Sequence, residues 1–221
     1  MKPSPLVVGM LLYPEFTMLD LVGPLTAFSL HAQVHLFWKE LEPIASDSDV
    51  SLVPTTRLRD CPEKLDVLFV PGGFGTEAAM ADTELLAFLQ HAAARADYIT
   101  SVCSGSLILG AAGLLQGYQA TTHWAVHDRL AQFGARPVNA RVVTDRNRIS
   151  GGGVTAGIDF GLTVLAQLRG AEVAQAVQLA MEYDPQPPFD AGSPQKAGAA
   201  VVGAARTLME QFSERRAYLH I

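Results

Sequence analysis

Apolar positions along this chain fall into two patterns. Leu6 to Leu12, Val34 to Trp38, Leu65 to Val70 and Tyr98 to Val102 are short and nearly continuously apolar. Strands covered on both faces of a parallel sheet read this way. Between them lie stretches with apolar residues at helical spacing: Asp20 to Phe28, Asp82 to Ala94, Ser106 to Leu115, a segment reaching Phe133, Ile158 to Leu168 and Ala171 to Tyr183. Pro24 suits a first turn, so the first helix is expected to start near Val22. Val138 to Ile149 reads as two short strands around the turn Asp145-Arg146-Asn147. Alternating strands and helices predict an α/β architecture with a mostly parallel central sheet and helices on both faces. The proline-rich stretch 184–194 is the one linker-like segment, and a last helix is expected at about 197–218. The expectation is a single domain over 1–221 with that connection and C-terminal helix.

Charge narrows the function classes. The 221 residues carry a formal net charge of −6, and Arg215-Arg216 is the only adjacent basic pair. A nucleic-acid partner is not expected, because phosphate neutralisation needs clustered cations. The apolar run at the N-terminus spans seven residues, too few for a membrane span or a signal-peptide core. No membrane partner is expected, and a cytoplasmic location is. The two cysteines, Cys61 and Cys103, form no C-x-x-C pair, so no zinc site is expected.

Candidate chemistry gathers between Tyr98 and Leu115. Here a strand passes into a helix with only Cys103, Ser104 and Gly105 between them. Such a turn lifts its residue out of the sheet and directs the following N–H groups at one spot. A cysteine at a helix N-terminus is favoured as thiolate, so Cys103 is the candidate nucleophile. Ligands of parallel sheets bind beyond the carboxyl ends of the strands, where Asp20, Gly72-Gly73 and Cys103 are all expected. Asp20 sits in an apolar run and reads two ways. It is a buried carboxyl kept protonated for proton transfer, or merely the cap of the helix that follows. Gly73 and Ser104 are the residues whose backbone N–H groups are expected to face the sulfur. His123 is either the base of a Cys–His pair or a structural support. The glycine run 151–157 lacks the spacing of a phosphate cradle and suits close helix packing instead.

Five segments carry a resemblance: Leu19-Asp-Leu-Val-Gly-Pro24, Val70-Pro-Gly-Gly73, Ser101-Val-Cys-Ser-Gly105, Ala120-Thr-Thr-His-Trp124 and Gly153-Val-Thr-Ala-Gly-Ile-Asp159. In this order and spacing the chain resembles the ThiJ/PfpI superfamily, which shares the flavodoxin-like fold of class I glutamine amidotransferases. Within it the chain is most similar to the isocyanide hydratases, through Asp20, Trp38-Lys-Glu40, Thr121-Thr-His-Trp124 and the segment 187–194. The resemblance implies Cys103 as nucleophile and Asp20 as its acidic partner, where most of the superfamily has Glu. Ser104 stands where the hydratases have Thr, keeping the hydroxyl but losing the methyl that restricts χ1.

A lyase is thereby implied, one that hydrates small apolar isocyanides to N-substituted formamides through a cysteine thioimidate. The resemblance further implies that no cofactor or metal takes part, and that the protein is a homodimer. The 221 residues contain no helix-turn-helix module of the kind that regulators with this domain carry. Two other readings share the motifs: a non-enzymatic cysteine-based redox or small-ligand sensor, and a glyoxalase-like enzyme.

Overall fold

The computed structural model describes residues 4–219; residues 1–3 and 220–221 lie outside it. The elements, in chain order, are β1 (Leu6–Leu11), α1 (Met18–Phe28), β2 (Ala32–Trp38), β3 (Ile44–Ala45), β4 (Ser51–Leu52), β5 (Thr56–Arg57), β6 (Leu65–Val70), α2 (Thr76–Ala81), α3 (Thr83–Ala93), β7 (Ala96–Val102), α4 (Gly105–Ala111), β8 (Gln119–Ala120), β9 (Arg136–Pro137), β10 (Val142–Asp145), β11 (Arg148–Gly151), α5 (Ala156–Arg169), α6 (Ala171–Ala180) and α7 (Pro194–Leu219). A 3₁₀ stretch, Trp124–Phe133, lies between β8 and β9. The chain divides into two compact units, with the boundary between Glu182 and Tyr183, where the proline-rich stretch begins. The second unit holds α7, in which Gly198 (φ +76°) interrupts the helical backbone.

In the first unit a seven-stranded sheet runs β10-β11-β7-β6-β1-β2-β5. Every pairing is parallel except β10 with β11. The apolar runs predicted this: β1 and β6 are buried almost throughout, as strands sandwiched between helices must be. The chain leaves β1 for β2 on one side, whereas β6 and β7 follow on the other. Right-handed crossovers running in opposite directions place their helices on opposite faces of the sheet. So α1, with α5, covers one face, and α3, with α4, covers the other. The reversal falls between β1 and β6, where parallel sheets open a crevice at their carboxyl ends. Phe16, Phe28, Phe37, Phe69 and Phe160 are fully buried, each contributing roughly 1.5–3 kcal/mol by leaving water.

Three elements depart from the sequence expectations. Helix α1 begins at Met18, four residues before the expected start, so Pro24 lies inside it. Its first turn is held from outside, the Met18 N–H donating to Asp47 Oδ1 at 3.1 Å. Pro24 lacks the N–H that would bond the Asp20 carbonyl four residues back. The helix expected over 82–94 is α3, capped by Asp82 accepting from the Leu85 N–H at 3.1 Å, but a short helix that was not expected, α2, precedes it. Helix α4 stops at Ala111 instead of reaching Leu115, because Gly113 takes a left-handed φ of +74° and turns the chain.

Small residues let α1 and α5 approach closely. A Cβ on Gly161 would lie 3.0 Å from Ala27 Cβ and 3.1 Å from Pro24 Cα. Gly161→Val therefore forces the two helices apart, at a cost of about 1–3 kcal/mol. Thermal denaturation is expected to show a melting temperature lower by roughly 2–4 °C for each kcal/mol lost. An unchanged Tm would mean that the interface tolerates a branched side chain.

Candidate active site

The strand-to-helix turn holds Cys103 at φ +56°, a left-handed conformation that costs a non-glycine residue roughly 1–3 kcal/mol. Neighbouring backbone fixes it there. The Cys103 N–H points back at the carbonyls of Gly151 (3.1 Å) and Gly152 (2.8 Å). Its own carbonyl accepts from Thr122 Oγ1 at 2.6 Å. Beside it runs the turn after β6: a Cβ on Gly72 would come within 2.5 Å of Ser104 N and 2.8 Å of Cys103 Cβ. Only glycine allows the two turns to touch.

Asp20, fully buried in the first turn of α1, faces this junction. Its Oδ2 accepts from the Gly72 N–H at 2.8 Å, while Oδ1 has no hydrogen-bond partner among the described residues. The carboxylate spends no hydrogen bond on the N–H groups of its own helix; Asp47 does the capping. Burial pushes the Asp20 carboxyl up to about 8, against the pull of the Gly72 N–H and the Cys103 thiol; Asp47 adds a smaller upward push. Cys103, 7% exposed, has its thiol raised well above the ordinary range, first by burial and then by the negative charge of Asp20. The helix-terminus expectation of a ready thiolate thus meets a larger opposing force. The N–H groups of Val154 and Ser104 face the sulfur and favour its anion. Burial holds both protons, and a charge on Asp20 would further disfavour the thiolate, so at neutral pH the pair is protonated and uncharged.

The structure places Gly73 and Ser104 side by side, though not with the same task. The Ser104 amide faces the sulfur, whereas the Gly73 amide donates to Ser104 Oγ at 3.0 Å. Thr76 Oγ1 donates to the Gly73 carbonyl at 2.7 Å and lies 2.7 Å from Ser104 Oγ. With the Thr76 proton on the Gly73 carbonyl, the Ser104 hydroxyl donates to Thr76 Oγ1 in preference to that carbonyl, which lies 3.4 Å away. Tyr13, fully buried, sends its hydroxyl to the Pro71 carbonyl at 3.1 Å. Gly73 itself sits at φ +153°, and a Cβ there would meet the Glu15 carbonyl at 2.3 Å.

His123 stands apart from the sulfur. Its Nδ1 accepts from the Ala125 N–H at 3.3 Å, and burial lowers its pKa, so it is a neutral ring that caps the 3₁₀ stretch. A Cβ on Gly153 would lie 2.5 Å from its Cδ2, which packs the ring on the loop that carries Val154. Among the described residues no hydrogen bond joins His123 to Cys103. Cys61, half-buried, is likewise a free cysteine, its thiol donating to the Pro62 carbonyl at 3.5 Å. Among the described residues no group of three or more His, Cys, Asp or Glu is placed to hold a metal ion.

Sequence reasoning missed Thr76, Thr122 and Val154. Thr122 stands in the segment 120–124 beside His123, whose imidazole is the stronger chemical signal. Thr76 lies in a segment without strong periodicity, and Val154 offers only a backbone N–H, which no side-chain pattern signals.

Residues 7–167 match the model of the DJ-1/PfpI family. The chain is 54% identical over 203 residues to isonitrile hydratase from Pseudomonas putida, covering 91% of this chain and 89% of that protein. The crystal structure of a ThiJ/PfpI family protein from Pseudomonas syringae superposes with a TM-score of 0.91 at 53% identity, over 96% of this chain and 88% of that one. The HTH-type transcriptional regulator GbdR of Pseudomonas aeruginosa is 26% identical over 82% of this chain, which spans about half (52%) of the regulator's length. Drosophila melanogaster DJ-1beta, 21% identical, shares the fold with a TM-score of 0.75 over 83% of this chain and all of that one. The parallel sheet and the helices around it therefore have their counterpart in known proteins, and the chain belongs to the DJ-1/PfpI family.

Proposed function

We propose that this protein is an isocyanide (isonitrile) hydratase, in which Cys103 is the nucleophile and Asp20 the proton carrier. The pairing of a buried thiol with a buried carboxyl carries the reading. It is supported by the 54% identity to the Pseudomonas putida enzyme across nearly the whole of both chains.

The reactive form of the pair holds one proton and one negative charge. With the proton on Asp20, the Cys103 thiolate adds to the terminal carbon of R–NC as Asp20 delivers its proton to that same carbon. A C–S and a C–H bond form, giving the thioimidate R–N=CH–S–Cys103 and an ionised Asp20. Because Oδ2 is occupied by the Gly72 N–H, Oδ1 is the oxygen left to carry the proton. In the second half Asp20 takes a proton from water as the oxygen adds to the carbon. The hydroxyl proton moves to nitrogen, the C–S bond breaks, and R–NH–CHO leaves. Protonated Asp20 and the thiolate are restored, so atoms and charge balance. The Ser104 and Val154 N–H groups support the sulfur whenever it is anionic. Gly73, Ser104 and Thr76 position the turn that holds Asp20, and His123 supports the loop behind the sulfur.

A redox-sensor reading fits less well, because thiol oxidation follows thiolate character and exposure, and Cys103 is buried with a raised pKa. We further infer a homodimer acting in the cytoplasm on a small apolar isocyanide and water, with neither nucleic acid nor membrane as partner. Among the described residues no helix is long and apolar enough to cross a membrane.

Formamide production from cyclohexyl isocyanide is expected, falling to background in Cys103→Ser and by about 10²–10⁴-fold in Asp20→Asn. Wild-type turnover at background across a panel of isocyanides overturns the proposal. The pH dependence gives a second test. The pair sheds its first proton at about 8, so kcat/KM is expected to rise towards that pH and to fall when the second proton leaves. A maximum between pH 5 and 6 contradicts this. Stability gives a third. Folded Asp20 keeps its proton up to about 8, whereas the unfolded chain releases it near 3.8. Between these values the folded state binds more protons, so stability falls as pH rises. The decline in Tm between pH 6 and 8 is expected to be smaller in Asp20→Asn than in the wild type; parallel declines count against a raised Asp20.

A further inference from the structure

The Cys103 carbonyl and the Ser104 N–H belong to one peptide unit. Because that unit is planar and trans, its oxygen and its hydrogen point in opposite directions. Fixing the oxygen therefore aims the N–H. Thr122 Oγ1 donates to the oxygen at 2.6 Å, and the N–H on the far side faces the Cys103 sulfur. Thr122 is 3% exposed, so water does not compete for the bond.

The strain at Cys103 gives this bond something to resist. A residue at φ +56° relieves itself by rotating the adjoining peptide planes. On the N-terminal side, rotation is blocked by the Cys103 N–H bonds to Gly151 and Gly152. On the C-terminal side the carbonyl accepts from Thr122 Oγ1 at 2.6 Å and, at a longer 3.5 Å, from the Ser106 N–H, so Thr122 is the tighter restraint. Thr122 is itself well anchored. The preceding Thr121 N–H donates to Ser150 Oγ at 2.9 Å, and the Thr121 carbonyl accepts from Ser106 Oγ at 2.7 Å. Ser106 Oγ also pairs with Ser101 Oγ at 2.8 Å. The segment bearing Thr122 is thus bolted to β11, to α4 and to the end of β7, the elements that frame the cysteine.

We propose that Thr122 is a positioning residue: its hydroxyl holds the 103–104 peptide so that the Ser104 N–H stabilises the Cys103 thiolate. The proposal deepens the Cys103 role in the proposed hydration, and its test reads the thiol itself, so a failed isocyanide assay leaves it standing.

The experiment follows iodoacetamide alkylation of Cys103 against pH in a Cys61→Ser background, where a single thiol reports. Thr122→Val removes the donor while keeping the shape. It is expected to raise the alkylation midpoint by about one pH unit, the worth of one N–H bond to the anion, and so to slow alkylation about tenfold at a fixed pH below the midpoint. Thr122→Ser keeps the hydroxyl and is expected to restore the wild-type midpoint. A folded Val variant with an unchanged midpoint overturns the proposal. So does a Ser variant shifted as far as Val, which would assign the effect to the methyl. If the Val variant does not fold, Thr122→Ala, which leaves room for water at the carbonyl, replaces it. An unshifted Ala midpoint then overturns the proposal, and a shift reversed by Ser supports it.

Discussion

The hydrogen bond from the Gly72 amide to Asp20 Oδ2 joins the end of β6 to the first turn of α1, and much of the site depends on it. The Gly72 carbonyl completes the tie by accepting from the Thr17 N–H at 2.8 Å. The same turn presses against Cys103 and Ser104 at a distance that no side chain at residue 72 would permit. Two strands and a helix are thus brought to one point by backbone contacts. The acids placed there are side chains carried on a rigid frame. Burial then does the electrostatic work: exclusion of solvent holds the proton on each acid, and the charge of Asp20 further opposes that of the thiolate.

Much of this was legible in the residues. The apolar runs specified β1, β6 and β7 as buried parallel strands, and the order of strands and helices specified the sandwich. Cys103 was legible because only Cys103, Ser104 and Gly105 stand between its strand and its helix, and Asp20 because a carboxylate in an apolar run requires a reason. The boundaries of α1 and α4 were harder. Pro24 ordinarily marks a first turn, and only an external cap from Asp47 allows the helix to begin earlier. Gly113, by contrast, ends α4 through a left-handed φ that an apolar pattern does not record.

What the residues left out is mostly backbone chemistry. Which amides face the sulfur depends on how the loops after β6 and β11 fold, so Val154 was invisible and Gly73 received a task that its N–H spends on Ser104. Hydroxyl networks share this property. Thr76, Ser104, Ser106 and Thr122 are ordinary residues in ordinary positions until the turns bring them together. The helix dipole at Cys103 was a sound inference about sign, but in a seven-residue helix with a nearly enclosed thiol, desolvation outweighs it.

The enclosure of Asp20 and Cys103 also acts as a filter on charge. Among the described residues no lysine or arginine pairs with either acid, and no cation contributes to the shift of either one. A guest bringing a carboxylate or phosphate would add a further anion to a site that already resists its first. A guest bringing no charge meets no such barrier and can draw the one available negative charge onto the sulfur. Electroneutrality of the entering molecule, rather than its outline alone, is therefore a selection rule written into the buried pair.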